Sequence, residues 1–112
     1  MVEARIKTKI WIQAFLKSLS IQGYSATIIN HGDDDSGSVL IKINNLKDCC
    51  NVFTQIRGDD GGLQWLSGTG GELVTEDIAD QYIKRQKTYD GDLWAIEVED
   101  PNLLFILENI VK

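Results

Sequence analysis

The sequence predicts a single α+β domain over residues 1–112. Its expected elements are an N-terminal helix, an antiparallel sheet of about five strands built from two hairpins plus a C-terminal strand, and a second helix before the last main strand. Three observations predict this class: helical spacing of apolar residues near the N-terminus, four short β-branched runs separated by Gly and Asp, and a second helical segment followed by an alternating run. A chain of this length suits one domain.

The first predicted helix covers residues 8–22. The sequence predicts Thr8 as the N-cap and Gly23 as the stop just after the last helical residue. Apolar residues recur at i, i+3, i+4 and i+7, which places them on one face: Ile12, Phe15, Leu16 and Leu19.

A second, weaker apolar stripe lies on the opposite side of this helix, formed by Ile10, Ala14 and Ile21. One interpretation is that the helix packs between the sheet and a neighbouring segment of the chain. The other is that these three residues contact a protein partner or a second copy. Ile10, Ala14 and Ile21 are therefore the interface candidates.

Four strand-like runs follow, over residues 25–31, 38–44, 49–57 and 63–67. The Gly- and Asp-rich segments 32–37 and 58–62 suit tight connections, so we expect two β-hairpins in a four-stranded antiparallel meander. In the second run Val39, Ile41 and Ile43 alternate with Leu40, Lys42 and Asn44. This alternation is typical of a sheet with one buried and one partly wet face.

The second predicted helix begins after Thr75. Glu76 and Asp77 in its first turn, and basic residues in its last turns, match the helix dipole. An alternating run over residues 92–99 predicts the fifth strand. After a turn at residues 100–102, residues 103–107 form either a short helix or a last strand.

Arg85 is the most informative charge for function. Ile78, Tyr82, Arg85 and Tyr89 recur at i, i+4, i+7 and i+11, so we expect the guanidinium to lie in an apolar, aromatic stripe and to require a carboxylate partner. The arrangement is either an anion-binding or acid/base site, or a structural ion pair that fixes how the helix crosses the strand, and we favour the ion pair. The candidate binding residues are Tyr82, Arg85, Tyr89, Asp90, Asp92, Trp94, Glu97 and Glu99.

Other motifs point to local structure rather than to metal or cofactor chemistry. Residues 33–35 with Ser36 resemble the start of a calcium loop, but the required spacing and the final Glu are missing, so we interpret them as turn residues. The Gly-rich run at 68–71 is not followed directly by a helix, and the acidic first turn of the second helix would repel a phosphate. We expect no metal and no cofactor.

The thiols and the single histidine form no evident site. Cys49 and Cys50 are adjacent, so a disulfide between them would be strained and buried free thiols are the simpler expectation. His31 is the only histidine, which excludes a zinc site built from several histidines. A nucleophilic pair of Cys and His lacks an orienting group in the sequence.

Charge and hydropathy restrict the partners. Seventeen acidic and eleven basic residues give a net charge of −6, which disfavours nucleic acid and anionic membranes. The sequence contains neither a signal-peptide core nor an apolar run of about 20 residues, so we expect a cytoplasmic protein without a membrane span.

Several stretches resemble a known family when they are taken together and in order. They are Lys9-Ile10-Trp11-Ile12 with Ala14, Gly32-Asp33 with Gly37, Val39-Leu40-Ile41-Lys42, Arg85-Gln86, Tyr89-Asp90-Gly91-Asp92-Leu93-Trp94 and Glu97-Val98-Glu99-Asp100. Over most of the chain they are similar to a family of small alphaproteobacterial proteins of unknown function. Gly91 stands where members of that family usually carry Pro, and the aspartates at 33–35 are more numerous here. The resemblance implies a compact cytoplasmic α+β protein and supplies no activity.

Two functional hypotheses follow. The first is a non-catalytic protein-interaction or accessory module, acting as a homodimer or with another protein. The alternative is a small-ligand-binding or metal-assisted hydrolytic enzyme that uses Arg85 with Glu97 and Glu99. We favour the first, because no complete catalytic constellation is evident and 112 residues offer little enclosed cleft.

Overall fold

A computed structural model describes residues 7–47, 49–57, 62–102, 105 and 110–111. Two helices and six strands occur in this part of the chain. In chain order they are α1 (Thr8–Gln22), β1 (Ser25–Asn30), β2 (Val39–Asn44), β3 (Cys50–Arg57), β4 (Leu63–Ser67), α2 (Glu76–Tyr89), β5 (Trp94–Glu99) and β6 (Ile110–Val111). The predicted α+β class and the predicted order of helices and main strands are confirmed.

The strands form one mixed sheet in the order β1-β5-β2-β3-β4-β6. β3 pairs antiparallel with both β2 and β4, so the second predicted hairpin and the β2–β3 pairing are confirmed. The connection at 58–61 lies outside the described residues, as does most of the predicted last element at 103–107. The two residues of β6 pair in parallel with β4.

The first predicted hairpin is wrong, because β5 lies between β1 and β2. β5 runs antiparallel to β1 and parallel to β2, which makes the sheet mixed rather than antiparallel. An interior position suits β5, whose Trp94, Ala95, Ile96 and Val98 are all buried, whereas the edge strand β1 is mostly exposed. Placing the more apolar strand inside the sheet removes more apolar surface from water.

Each face of the sheet is covered by one helix. α1 covers the face that contains Val39 and Ile41, and its Ile12 and Leu19 pack there. α2 covers the face that contains Leu40, Val52 and Ala95, where its Ala79 and Ile83 pack. The expectation of a partly wet face on β2 is therefore wrong: Leu40, Lys42 and Asn44 are all buried.

The helix ends follow the sequence in most respects. Gly23 ends α1 in the left-handed region at φ 90°, where glycine is favoured, as predicted. Thr75 caps α2, since its hydroxyl accepts a hydrogen bond from the Ile78 N–H at 3.3 Å. Thr8 is not the cap of α1: that position is Lys7, and the Thr8 hydroxyl instead donates to the Gly37 carbonyl at 3.0 Å, which ties the helix to the β1–β2 connection.

Neither of the two described helices combines the length and the apolar character that crossing a bilayer requires.

Candidate functional site

A buried lysine forms the most unusual polar site in the described part of the chain. The Lys42 side chain is only 2% exposed, and its Nζ atom lies 2.7 Å from Asp80 Oδ1, 2.8 Å from Glu76 Oε2 and 3.2 Å from Glu97 Oε1. We refer to Lys42, Asn44, Glu76, Asp80 and Glu97 together as the Lys42 cluster. It joins the centre of the sheet to the first turns of α2.

Register and helical spacing bring these residues together. Lys42 on β2 lies directly beside Glu97 on β5 in the parallel ladder, so both side chains project from the face that α2 covers. Glu76 and Asp80 are four residues apart on α2, which places them on the same side as the buried Ala79. The N-terminal turn of a helix also favours acidic side chains.

Asn44 extends the cluster to the end of β2. Its Nδ2 atom donates to Glu76 Oε2 at 2.8 Å and to Glu97 Oε2 at 3.2 Å. Its Oδ1 atom accepts from the Leu46 N–H at 2.8 Å, where the chain turns with Leu46 at φ 62°. The amide thus connects two carboxylates of the cluster to the turn after β2.

The electrostatics of the Lys42 cluster favour a permanently charged ammonium. Burial is the largest single influence on the pKa of Lys42 and would lower it, but the hydrogen bonds to Asp80, Glu76 and Glu97 outweigh burial and raise that pKa overall. A lysine held charged in this way is neither a nucleophile nor a base at neutral pH. The chemistry of the cluster is therefore that of an ion-paired anchor between α2 and the sheet.

Cys50 lies on the same face of the sheet, and its thiol is held protonated. Burial raises its pKa to about 11, and the carboxylates of the Lys42 cluster add to this, whereas Lys42 opposes it. Cys50 is fully buried, Cys49 is half-buried, and both are free thiols. His31 lies at the opposite end of the sheet, against the Trp94 ring, so no pair of Cys and His forms.

The structure does not bring the predicted binding residues together. Arg85 is exposed, and within the described chain no carboxylate lies within ion-pairing distance of it, so the expected desolvated guanidinium is wrong. The stripe that contains Arg85 points largely toward solvent, and Tyr89 is 78% exposed. Of the residues in this stripe, Tyr82 packs against the buried residues between α2 and the sheet. The smaller residues Ala79 and Ile83 face the sheet instead.

The remaining candidates are dispersed over both faces and one turn. Trp94 is buried on the α1 face and donates its Nε1–H to the Asp33 carbonyl at 2.7 Å. Asp90 Oδ1 accepts from the Asp92 N–H at 3.0 Å within the turn before β5. Glu97 belongs to the Lys42 cluster, and Glu99 lies two residues further along β5 and is half-buried.

The aspartates at 33–35 act as turn residues. Asp33 Oδ2 accepts hydrogen bonds from the N–H groups of Ser36 and Asp35, at 2.9 and 3.1 Å, and from the Ser36 hydroxyl. The same bonds lower the pKa of the Asp33 carboxyl. This geometry supports the interpretation of the segment as a turn.

The three interface candidates lie on the outer face of α1. Ile10 is 55% exposed, Ile21 is 78% exposed, and Ala14 between them is exposed as well. The inner face of the same helix packs on the sheet, and the Phe105 ring contacts its Phe15 at a centroid distance of 6.4 Å. A neighbouring segment therefore does reach α1, but it leaves the outer stripe exposed.

Sequence reasoning missed four members of the Lys42 cluster: Lys42, Asn44, Glu76 and Asp80. A signal was available on α2, because Glu76 and Asp80 share the helical face of Ala79 and Ile83. Two carboxylates beside the face of a helix that packs on a sheet indicate a cation on that sheet. Lys42, on the buried strand β2, supplies it.

Comparison with known proteins identifies a family. Residues 6–108 match the family model described as "Protein of unknown function (DUF1491)". A crystal structure of a DUF1491 family protein from Caulobacter crescentus CB15 is 27% identical, with a TM-score of 0.82, and covers 96% of this chain and 100% of that chain. An NMR structure of a DUF1491 family protein from the same organism is 26% identical, with a TM-score of 0.79, and covers 98% and 100% of the two chains.

A third structure, of a protein from A. tumefaciens, shares the fold. It is 16% identical, has a TM-score of 0.75 and covers 95% of this chain and 97% of that chain. No curated protein matches the sequence. The match over nearly the whole length, with the helices and mixed sheet described above, shows that the chain belongs to the DUF1491 family.

Proposed function

We propose that the protein is a non-catalytic interaction or accessory module of the cytoplasm that binds a protein through the outer face of α1. The observation that carries this proposal is the exposure of Ile10 and Ile21 on a helix whose other side is anchored in the core. Single exposed aliphatic residues are common on protein surfaces. Two that share one helical stripe with an exposed alanine form a surface on which a partner can pack.

The Lys42 cluster supports a non-catalytic role. One oxygen or more of each carboxylate is bound to Lys42 or Asn44, and Lys42 itself is held charged. The enzymatic alternative needs Glu97 beside Arg85, but Glu97 is engaged by Lys42 and Arg85 is exposed. The geometry therefore favours the interaction module over a hydrolase that uses Arg85, Glu97 and Glu99.

Affinity capture with matched variants tests the proposal. The wild-type chain, an Ile10→Glu/Ile21→Glu double variant and an Ile78→Glu control on the exposed face of α2 are each used as bait in an alphaproteobacterial lysate. We expect a partner that wild type and control retain and that the double variant loses, and the purified partner should then bind wild type in calorimetry. Equal capture by all three baits, with circular dichroism showing the double variant folded, would contradict the proposal.

A further inference from the structure

We infer that the partner of this face is a second copy of the chain, bound through a two-fold, antiparallel pair of α1 helices. The inference rests on the proposed function and specifies the occupant of the same face. Lys17 lies on the same helical face as Ile10, Ala14 and Ile21, and all four residues are exposed. Their spacing of four, three and four residues is the a/d spacing of a two-heptad coiled-coil seam.

The seam is self-complementary when one helix is reversed. Ile10 then meets Ile21 of the second copy, and Ala14 meets Lys17 of the second copy. The two-fold axis repeats each of these two contacts once, with the roles of the two copies exchanged. The long Lys17 stem can cover the small Ala14 while its ammonium reaches water. A parallel pair would instead place Lys17 against Lys17, where the two like charges repel each other.

The helix dipoles favour the same arrangement. α1 has no acidic residue in its first turn and no basic residue in its last turn, and Lys9 stands in the first turn, where the helix dipole disfavours a cation. In the antiparallel pair Lys9 lies level with the C-terminal turn of the other helix, where the dipole favours a cation. The flanking residues Gln13 and Ser18 are uncharged, and α1 contains no acidic residue. The two chains, each of net charge −6, therefore meet at a helix that does not contribute to that negative charge.

The size of the seam sets the expected strength. Four residues from each helix make an interface at the small end of the range for specific complexes, below about 1,200 Å² in total. We therefore expect a weak, concentration-dependent dimer. Added salt should strengthen it by screening the repulsion between the two acidic chains.

Sedimentation equilibrium of the full chain, from about 10 μM to about 1 mM, measures the association. We expect a monomer–dimer equilibrium that Lys17→Leu tightens by about tenfold or more, because it removes the one charged side chain from the seam. Ile21→Glu should leave only monomer, and the matched control Ile78→Glu on α2 should associate as wild type does. Circular dichroism confirms that each variant is folded.

Cysteine cross-linking tests the direction of the pair in a Cys49→Ser background. A mixture of Ile10→Cys and Ile21→Cys chains should form a cross-linked dimer, whereas Ile10→Cys alone should not, because its two copies lie at opposite ends of the seam. The inference is overturned if Lys17→Leu stays monomeric throughout, if Ile21→Glu still dimerises, or if Ile10→Cys alone cross-links. If the chain is monomeric but captures a partner through α1, the inference fails and the proposed function stands.

Discussion

Replacing Lys42 by methionine removes the one cation of the Lys42 cluster and leaves its carboxylates in place. Three hydrogen bonds to a charged donor are lost, at 2.7, 2.8 and 3.2 Å, and removing one partner of a buried ion pair typically costs about 3–5 kcal/mol. Glu76 and Asp80 are about half exposed and can rehydrate, which reduces that cost. Methionine also fills most of the vacated volume. We therefore expect the free energy of unfolding to fall by about 2–4 kcal/mol.

Urea unfolding, followed by far-UV circular dichroism, measures this loss. With a slope of about 2 kcal/mol per molar urea, the midpoint should fall by roughly 1–2 M while the slope stays unchanged. Lys47→Met, at an exposed lysine five residues away, is the matched control and should change stability by less than about 0.5 kcal/mol. A loss below about 1 kcal/mol for Lys42→Met would refute the view that the cluster anchors α2 to the sheet.

Three further outcomes are expected. The raised pKa of Lys42 means that the folded state keeps its proton where the unfolded chain releases it. The stabilisation is therefore complete below about pH 10 and declines as the pH rises further. In urea titrations above that pH, the free energy of unfolding should fall more steeply for wild type than for Lys42→Met. Gly37→Ala should destabilise by about 1–3 kcal/mol in the same assay, since a methyl group would overlap the backbone of Asp92, whereas Gly91→Ala has open space and should be nearly neutral. In a timed iodoacetamide reaction read by mass spectrometry, Cys49 should be alkylated well before Cys50, whose pKa of about 11 and full burial protect it; equal rates would count against the described packing.

Local chemistry made α1, α2 and the β3–β4 pair predictable. Gly23 and Thr75 act at the helix ends where the sequence placed them, because a left-handed stop and a capping hydroxyl work within a few residues. The position of β5 was not predictable in this way. Its alternating pattern shows that the segment is a strand but does not show which strands lie beside it.

The Lys42 cluster escaped prediction for a related reason. A lysine in an alternating strand ordinarily faces water. Two of the three carboxylates that compensate Lys42, those of Glu76 and Asp80, lie 34 and 38 residues later in the chain, and Glu97 lies further still. The prediction for Arg85 failed in the opposite direction, since Arg85 is exposed where a buried side chain was expected. The helical spacing of its aromatic neighbours predicts a buried stripe, but Tyr89 is 78% exposed, and Ala79 and Ile83 make the contact with the sheet.

The insertion of β5 between β1 and β2 also bears on the order in which we expect the chain to fold. The neighbours of β1 and β2 in the sheet include a strand that begins at Trp94, more than 50 residues later, whereas β2, β3 and β4 are joined by short connections. Contacts over such long separations form late, because the loop must be closed before they contribute. β2, β3 and β4 can therefore pair early. Among the described strands β1 pairs only with β5, so we expect β1 to be the last of the main strands to join the sheet.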